Sequence, residues 1–267
     1  MKISILTPSF NQGDFIEKNI QSVMSQKYAD FEHIIIDGGS TDNTVHVLKK
    51  YPHLKWVSET DEGQADALNK GLAMATGDII GWINSDDYYE KEIFQDVISH
   101  FENSLSTQWI IGNVIFHYIE ANIFRSVRSQ EITYDNLLKN PDIVKQPGVF
   151  FKKELLQGIG GWNKEFHMIM DYDLWVRIAK KYTPKMINRN YAYFLWHSAQ
   201  KSSSKNCIRQ TNEICKILKE NNVNWLSRLF LRRKKYYYLV KGLIKSLLIK
   251  LGMIDKKYNA MPFSANK

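Results

Sequence analysis

Short apolar runs and amphipathic stretches alternate along the first 110 residues. KISILTP (2–8) predicts a strand. Residues 14–26 predict a helix, with Asp14 near its start and Ile16, Ile20, Val23 and Met24 on one face. HIIID (33–37) is a continuous apolar run closed by an acid; helix 41–51 follows, then strand LKWV (54–57). Helix 63–75 carries Ala67, Leu68, Leu72 and Ala75, strand DIIGWI (78–83) comes next, and helix 90–101 completes the alternation. Apolar runs of this length between helices predict an α/β fold with a mostly parallel sheet covered on both faces. In such sheets ligands bind outside the carboxyl ends of the strands. Asp37, Asp61 and the pair Asp86–Asp87 all fall at or just past a predicted strand end, so three strand ends bring carboxylates to one rim.

The pattern beyond residue 105 is less regular. IIGNVIFHYI (110–119) reads as one strand or two, 133–139 as a short helix, GVFF (148–151) as a strand, 171–182 as a helix, YAYFLWH (191–197) as a strand and 206–220 as a helix. Residues 225–252 have a helical stripe of Leu226, Leu229, Tyr237, Val240, Ile244, Leu247, Leu248 and Leu251, with Arg228, Arg232, Lys234, Lys235, Lys241 and Lys245 largely off it. The pattern divides the chain into a regular part (1–105), a less regular part (106–205) and a helical basic tail (206–267).

Charge sharpens the view of that tail. The net charge is +8, yet residues 201–267 hold sixteen Lys and Arg against three Asp and Glu, so the rest is mildly acidic. The asymmetry predicts an anionic partner for the tail. The tail has too short an apolar run to span a bilayer and suits an anionic membrane surface instead, apolar face down; a helix pair packed on the body is the other reading, and no nucleic acid is expected. The two cysteines, Cys207 and Cys215, make no disulfide framework, and MKISILTPSF has too short an apolar core for a signal peptide. The expected location is cytoplasmic, peripheral at the inner face of the cell membrane.

Several activities common on α/β sheets lack their motifs. The first strand is followed by TPSFNQGDF, without G-x-G-x-x-G, and the chain has neither a phosphate-binding G-x-x-x-x-G-K-[ST] loop nor a G-x-S-x-G nucleophile elbow. In IDGGSTDNT (36–44) a strand–turn–helix junction capped by Ser40 or Thr41 accounts for the glycines and hydroxyls. It does not account for Asp37, whose carboxylate suits a base N–H. In DEGQADALNKG (61–71), Asp61 and Glu62 suit a helix start, Gly63 permits close backbone approach, and Gln64, Asp66 and Asn69 offer polar contacts. In NSDD (84–87), adjacent acids after a strand suit a hard divalent cation carrying a diphosphate, or else a solvated turn capping the next helix.

TPSFNQGDFI, IIDGGSTDNT, DEGQADALNKG, ATGDIIGWINSDD and MDYDLWVR, in this order and spacing, resemble family 2 glycosyltransferases of the GT-A fold over about residues 1–200. The resemblance implies a Rossmann-like GT-A sheet and a metal-dependent, inverting sugar transferase with a nucleotide-sugar donor, very often a UDP-sugar, bound by 1–105, and with the acceptor and the catalytic base in 106–205. It implies that Pro8 and Ser9 lie against the nucleoside, Asp37 holds the uracil, Asp86 meets the ribose and Asp87 ligates Mn²⁺ or Mg²⁺. Ser85-Asp86-Asp87 stands where the family has a D-x-D-type motif. Asp61, Gln64 and Asp66 are grouped with the donor-binding residues. Asp171 matches the family's catalytic base; Asp173 is the rival, about 200° around the helix. His197 matches a metal-ligating histidine ahead of a Ser-rich loop, where Lys201 and Lys205 would cover the diphosphate. Gln146, Trp162, Phe166 and His167 are expected around the acceptor, a glycan or lipid-linked saccharide of cell-surface polysaccharide assembly. The competing classes are a nucleotide-sugar-forming nucleotidyltransferase, whose Gly-rich basic loop is absent from TPSFNQGDF, and an inactive membrane- or nucleic-acid-binding protein.

Overall fold

The structure is a computed structural model that describes residues 1–128, 130–197 and 206–229, together with 240, 244 and 251. Contacts divide the chain into two compact units, residues 1–115 with 126–194, and residues 116–125 with 195–267.

Four parallel strands form one half of the sheet: β1 (Ile3–Ser9), β2 (Phe31–Asp37), β3 (Lys55–Ser58) and β4 (Ile79–Trp82), in the spatial order β3-β2-β1-β4. Between them run α1 (Ile16–Met24), α2 (Thr44–Leu48) and α3 (Gln64–Met74). β1 and β2 are buried on both faces, which is why their apolar runs are continuous rather than alternating. On one face Ile3, Ile5, Ile79 and Ile83 join Val23 of α1 and Phe94, Val97, Ile98 and Phe101 of α4 (Phe94–Glu102). Ile16 and Ile20 of α1 pack with Ile35, Val47, Leu48 and Leu54. On the other face α3 lies close to the sheet through Gly71, where a Cβ would come within 2.5 Å of Ile36 Cδ1.

The sheet continues antiparallel. β8 (Val149–Lys152) pairs with β4 and with β6 (Trp109–Tyr118). A two-residue strand, β5 (Tyr88–Tyr89), pairs with β9 (Lys185–Trp196). The parallel arrangement expected from the sequence thus holds for β1–β4 and gives way to antiparallel pairing beyond them. β5 is too short to leave a sequence signature, and it delays the next helix to Phe94. β9 begins at Lys185 rather than Tyr191; its first half, KMINRN, is largely polar with only Ile187 buried, and so left no apolar run to read. Before α7 (Met170–Ala179) come α5 (Tyr134–Lys139) and α6 (Lys153–Gly158). The rings of Trp82, Trp162, Trp175, Trp109 and Phe151 pack in sequence under α7.

In the second unit β7 (Ile123–Val127) pairs with β6, and Trp196 packs on Phe116 and Tyr118. The amphipathic helix α8 (Cys207–Glu220) buries Thr211, Ile214, Cys215, Ile217 and Leu218. Among the described residues no helix is long and apolar enough to cross a membrane. Of the 225–252 stripe, Tyr237, Leu247 and Leu248 lie outside the described residues, as do Lys201 and Lys205, while Leu226, Leu229, Val240, Ile244 and Leu251 are exposed.

Candidate active site

Strand register builds the rim. Ser9 of β1 stands beside Asp37 of β2, and Asp37 stands beside Ser58 of β3. Asp37 is fully buried. Its Oδ2 accepts from Ser40 N at 2.9 Å and Ser58 Oγ at 2.6 Å, and its Oδ1 accepts from Ser40 Oγ. A carboxylate has about four acceptor positions, so one direction remains on Oδ1. The expected N-cap is corrected here: α2 starts at Thr44, Ser40 binds Asp37, and Asp42 accepts from Thr44 N at 2.9 Å. The same loop is stitched to the residues after β1 by Asn11 N to Ser40 Oγ, Thr41 N to Asn11 Oδ1 and Gly13 N to Asp42. Ser9 is 5 % exposed, and its Oγ is buried without a hydrogen-bond partner.

Asp61 joins this rim over Gly38, where a Cβ would lie 2.8 Å from Asp61 Oδ2. Its Oδ1 accepts from Gly63 N at 2.8 Å, turning the chain into α3 with Gly63 at φ 111°. Asp66 faces the other way. It accepts from Glu62 N and Lys164, and lies 3.6 Å from Lys70. Gln64 donates to Asn84 Oδ1 at 2.7 Å. Asn84 Oδ1 also accepts from Trp82 Nε1, Asn84 Nδ2 donates to Gln146 Oε1, and Gln146 Nε2 donates to the Trp82 carbonyl at 2.6 Å. Gln64 and Gln146 therefore brace the end of β4 from two sides.

The Asp86–Asp87 turn is fixed through its backbone. Asn19, fully buried on α1, donates through Nδ2 to the carbonyls of Asn84 and Asp87, both at 2.9 Å. Asp87 N closes the turn on Asn84 O, and Ser85 Oγ donates to Pro8 O at 2.7 Å. Asp87 is 1 % exposed, whereas Asp86 is partly exposed. Burial, then the charges of Glu90 and Asp87, push the Tyr88 phenol up to about 12; burial followed by Asp87 pushes Tyr89 well up. Lys18 Nζ sits 3.7 Å over the Tyr88 ring, its pKa lowered by burial.

Two acids open α7 in different surroundings. Asp173 is 6 % exposed and bonds Arg177 Nε at 2.8 Å. Arg177 also donates to the carbonyls of Ile159 and Gly161, tying the helix to the preceding loop. Burial raises the Asp173 pKa against the pull of Arg177. Asp171 is partly exposed, and its Oδ1 accepts from Tyr172 N. The loop between α6 and α7 docks on α3 by a two-way bond, Asn69 Nδ2 to Trp162 O and Trp162 N to Asn69 Oδ1. Trp162 and Phe166, expected beside an acceptor, are core residues at 1 % exposure, because their bulk fills the space under this loop. His167 is exposed next to Gly63. His197 is buried directly after β9, in the second unit.

This geometry puts strand-end carboxylates on a GT-A-like sheet, and the sequence decides the family. Glycosyl transferase family 2 matches over residues 4–160. The chain belongs to this family. The nucleotidyltransferase and inactive-binder readings therefore fall away. This glycosyltransferase is 29% identical over 182 residues to an uncharacterized glycosyltransferase of Mycobacterium tuberculosis (strain CDC 1551 / Oshkosh), covering 66% of this chain and 68% of that one. It is 28% identical over 232 residues to the Escherichia coli UDP-Glc:alpha-D-GlcNAc-diphosphoundecaprenol beta-1,3-glucosyltransferase WfgD, covering 85% and 89%. In fold it is similar to Staphylococcus aureus TarS in complex with UDP-GlcNAc, with a TM-score of 0.65, 18% identity and coverage of 81% of this chain and 66% of that one. The chain thus spans about two thirds of the TarS chain.

Family 2 enzymes of this fold imply a divalent ion. Asp87 and Asp86 offer hard carboxylate oxygens, the donors Mg²⁺ and Mn²⁺ prefer. Among the described residues no three His, Cys, Asp or Glu side chains converge as an ion-holding group. One or two carboxylates suffice when substrate phosphates complete the coordination, so the donor set fits. Sequence reasoning missed Asn19, Ser58, Asn84 and Arg177. Two carried a signal: Asn19 is a polar residue on the apolar stripe of α1, and Arg177 is four residues after Asp173 on one helix.

Proposed function

We propose that this family 2 glycosyltransferase moves a sugar, with inversion, from a UDP-sugar to a hydroxyl of a glycan or lipid-linked saccharide at the inner face of the cell membrane. The observation that carries the reading is the single rim holding Ser9, Asp37, Asp61 and Asp86–Asp87 at the carboxyl ends of β1–β4. Pro8 and Ser9 lie against the nucleoside, with the unpartnered Ser9 hydroxyl available to it. Asp37 shapes the base pocket and offers its last acceptor direction to a base N–H. Asp86 accepts from a ribose hydroxyl. Asp61 closes the pocket over Gly38 and Gln64 braces it from α3, which Asp66 fastens to Lys164.

Asp87 would hold Mn²⁺ or Mg²⁺. The ion, when bound, offsets charge growing on the leaving diphosphate. Asp171 takes the proton of the acceptor hydroxyl, whose oxygen bonds to the anomeric carbon as the carbon–oxygen bond to the diphosphate breaks on the opposite face. The split of roles on α7 supports this choice: Asp173 is engaged by Arg177 and supports the helix start. WfgD, by its name, uses UDP-Glc and a diphosphoundecaprenol-linked acceptor, and a mannosyltransferase of similar fold from Pyrobaculum calidifontis holds GDP-Man and Mn²⁺. These relatives support a nucleotide-sugar donor, an ion and a lipid-linked acceptor.

The test is calorimetric titration of the protein with UDP and GDP, with and without Mn²⁺, followed by a donor screen scoring nucleoside diphosphate release. UDP is expected to bind only with Mn²⁺ present and more tightly than GDP. Absence of binding by either diphosphate in the presence of Mn²⁺ would overturn the reading, and a preference for GDP would change the donor.

A further inference from the structure

The second unit holds a groove lined by none of the residues assigned to the donor, the ion or the base. Its volume is about 470 Å³, and it is lined by Cys215, Lys216 and Lys219 of α8 and by Trp225, Arg228 and Leu229 of the helical segment 225–229. Three cations and no carboxylate face this space among the described residues. The nearby acid Glu213 is paired with Arg209 at 3.2 Å. Arg228 Nε is buried and makes no hydrogen bond among the described residues. Around the groove Trp225 is 63 % exposed, Leu226 59 % and Leu229 40 %.

We propose that this groove binds the phosphate of an anionic phospholipid headgroup, with Trp225, Leu226 and Leu229 entering the interfacial layer around it. The inference rests on the reading of a membrane-surface enzyme and gives it a docking point. A guanidinium and two ammonium groups around one space suit a phosphate, and the unsatisfied Arg228 N–H gains an acceptor. The apolar rim selects the source. A free phosphate would leave an indole and two leucines in water, whereas a lipid covers them, and indoles favour the headgroup level. The surplus of cations in residues 201–267 attracts the chain to such a surface from a distance.

The experiment is co-sedimentation of the full chain with vesicles of phosphatidylcholine alone and of phosphatidylcholine with phosphatidylglycerol. The compared variants are Lys216→Ala/Lys219→Ala/Arg228→Ala and a charge-matched control on the first unit, Lys49→Ala/Lys50→Ala/Lys139→Ala. The unaltered chain is expected to bind the anionic vesicles. The groove variant is expected to lose about 100-fold in partitioning and the control less than about threefold, from roughly fivefold per cation held at the surface. If the groove variant unfolds, Lys219→Glu on the exposed side of α8 should lose about 20-fold.

An unaltered chain that ignores anionic vesicles sinks the membrane reading itself. Equal losses in groove and control variants, or none in the groove variant, overturn the groove while leaving the membrane reading standing. Release from vesicles by inorganic phosphate at constant ionic strength overturns the lipid as the source of the anion.

Discussion

At the Asp37 turn the fold holds the carboxylate; at the Asp86–Asp87 turn it holds the carbonyls. Ser40 and Ser58 converge on the oxygens of Asp37, which makes that acid the hub around which its loop is wound. Asn19 instead grips the main chain at Asn84 and Asp87, and Ser85 pins the turn to β1. α7 repeats the contrast within one turn of helix, where Asp173 anchors Arg177 and Asp171 lies at the partly exposed start.

The strongest way to break this comparison is to exchange the two acids of α7. Asp171→Asn should lower transfer by on the order of 1,000-fold while leaving nucleoside diphosphate binding intact. Asp173→Asn should chiefly lower the melting temperature. Steady-state rates set beside melting curves check the pair, and the opposite pattern would reverse the assignment of the base. Next in size, Asp87→Ala should weaken Mn²⁺-dependent diphosphate binding by about 100-fold, read by calorimetry, whereas Asp86→Ala should cost less and leave the dependence on Mn²⁺.

A pH series sharpens what lies beneath the Asn19 grip. His33 Nε2 lies 2.9 Å from Thr7 Oγ1, which bonds Asn19 Oδ1. Burial, with a smaller push from His53, depresses the His33 imidazole to about 3. Its folded value is below the unfolded one, so its contribution is complete above pH ~6.5 and is lost as pH falls from there towards ~3. Stability at pH 5 should be lower than at pH 7 by on the order of 2 kcal/mol from this group. Glu32 adds to the loss at lower pH: burial raises its pKa, but hydrogen bonds from Lys55, Ser4 and Thr76 outweigh that and hold it well down. Denaturant melts of His33→Gln should show a flatter slope between these pH values. The last test is Asn19→Leu, which roughly keeps the volume and removes the donors. It should cost about 1–3 kcal/mol, with diphosphate affinity falling in step; unchanged affinity would show that the turn does not depend on the grip.

The parallel half of the fold was legible because β1, β2 and β4 are buried on both faces, and burial on both faces writes itself as continuous apolar runs. The rim acids followed from the rule that such sheets bind ligands at strand ends. The antiparallel half was less so. β5 is two residues long and exists because Tyr88 and Tyr89 meet Tyr193 and Ala192, partners more than a hundred residues away. Separations of 20, 62 and 93 residues likewise hid the brace from Gln64 through Asn84 to Gln146 and the Asn69–Trp162 clasp. DEGQADALNKG therefore looked like a set of donor contacts, while much of its polarity fastens α3 to the loop before α7.

The buried hydroxyl of Ser9 has a practical side. A polar group shut away without a partner burdens the empty protein by about 1–3 kcal/mol. Any compound that offers Ser9 Oγ an acceptor or donor lifts that burden on top of its other contacts. Ser9→Ala should accordingly melt higher than the unaltered chain when empty and gain less on adding nucleotide. The gap between the two melting curves would then serve as a label-free screen for the donor, reporting which nucleotide reaches the tip of β1 before any acceptor sugar is known.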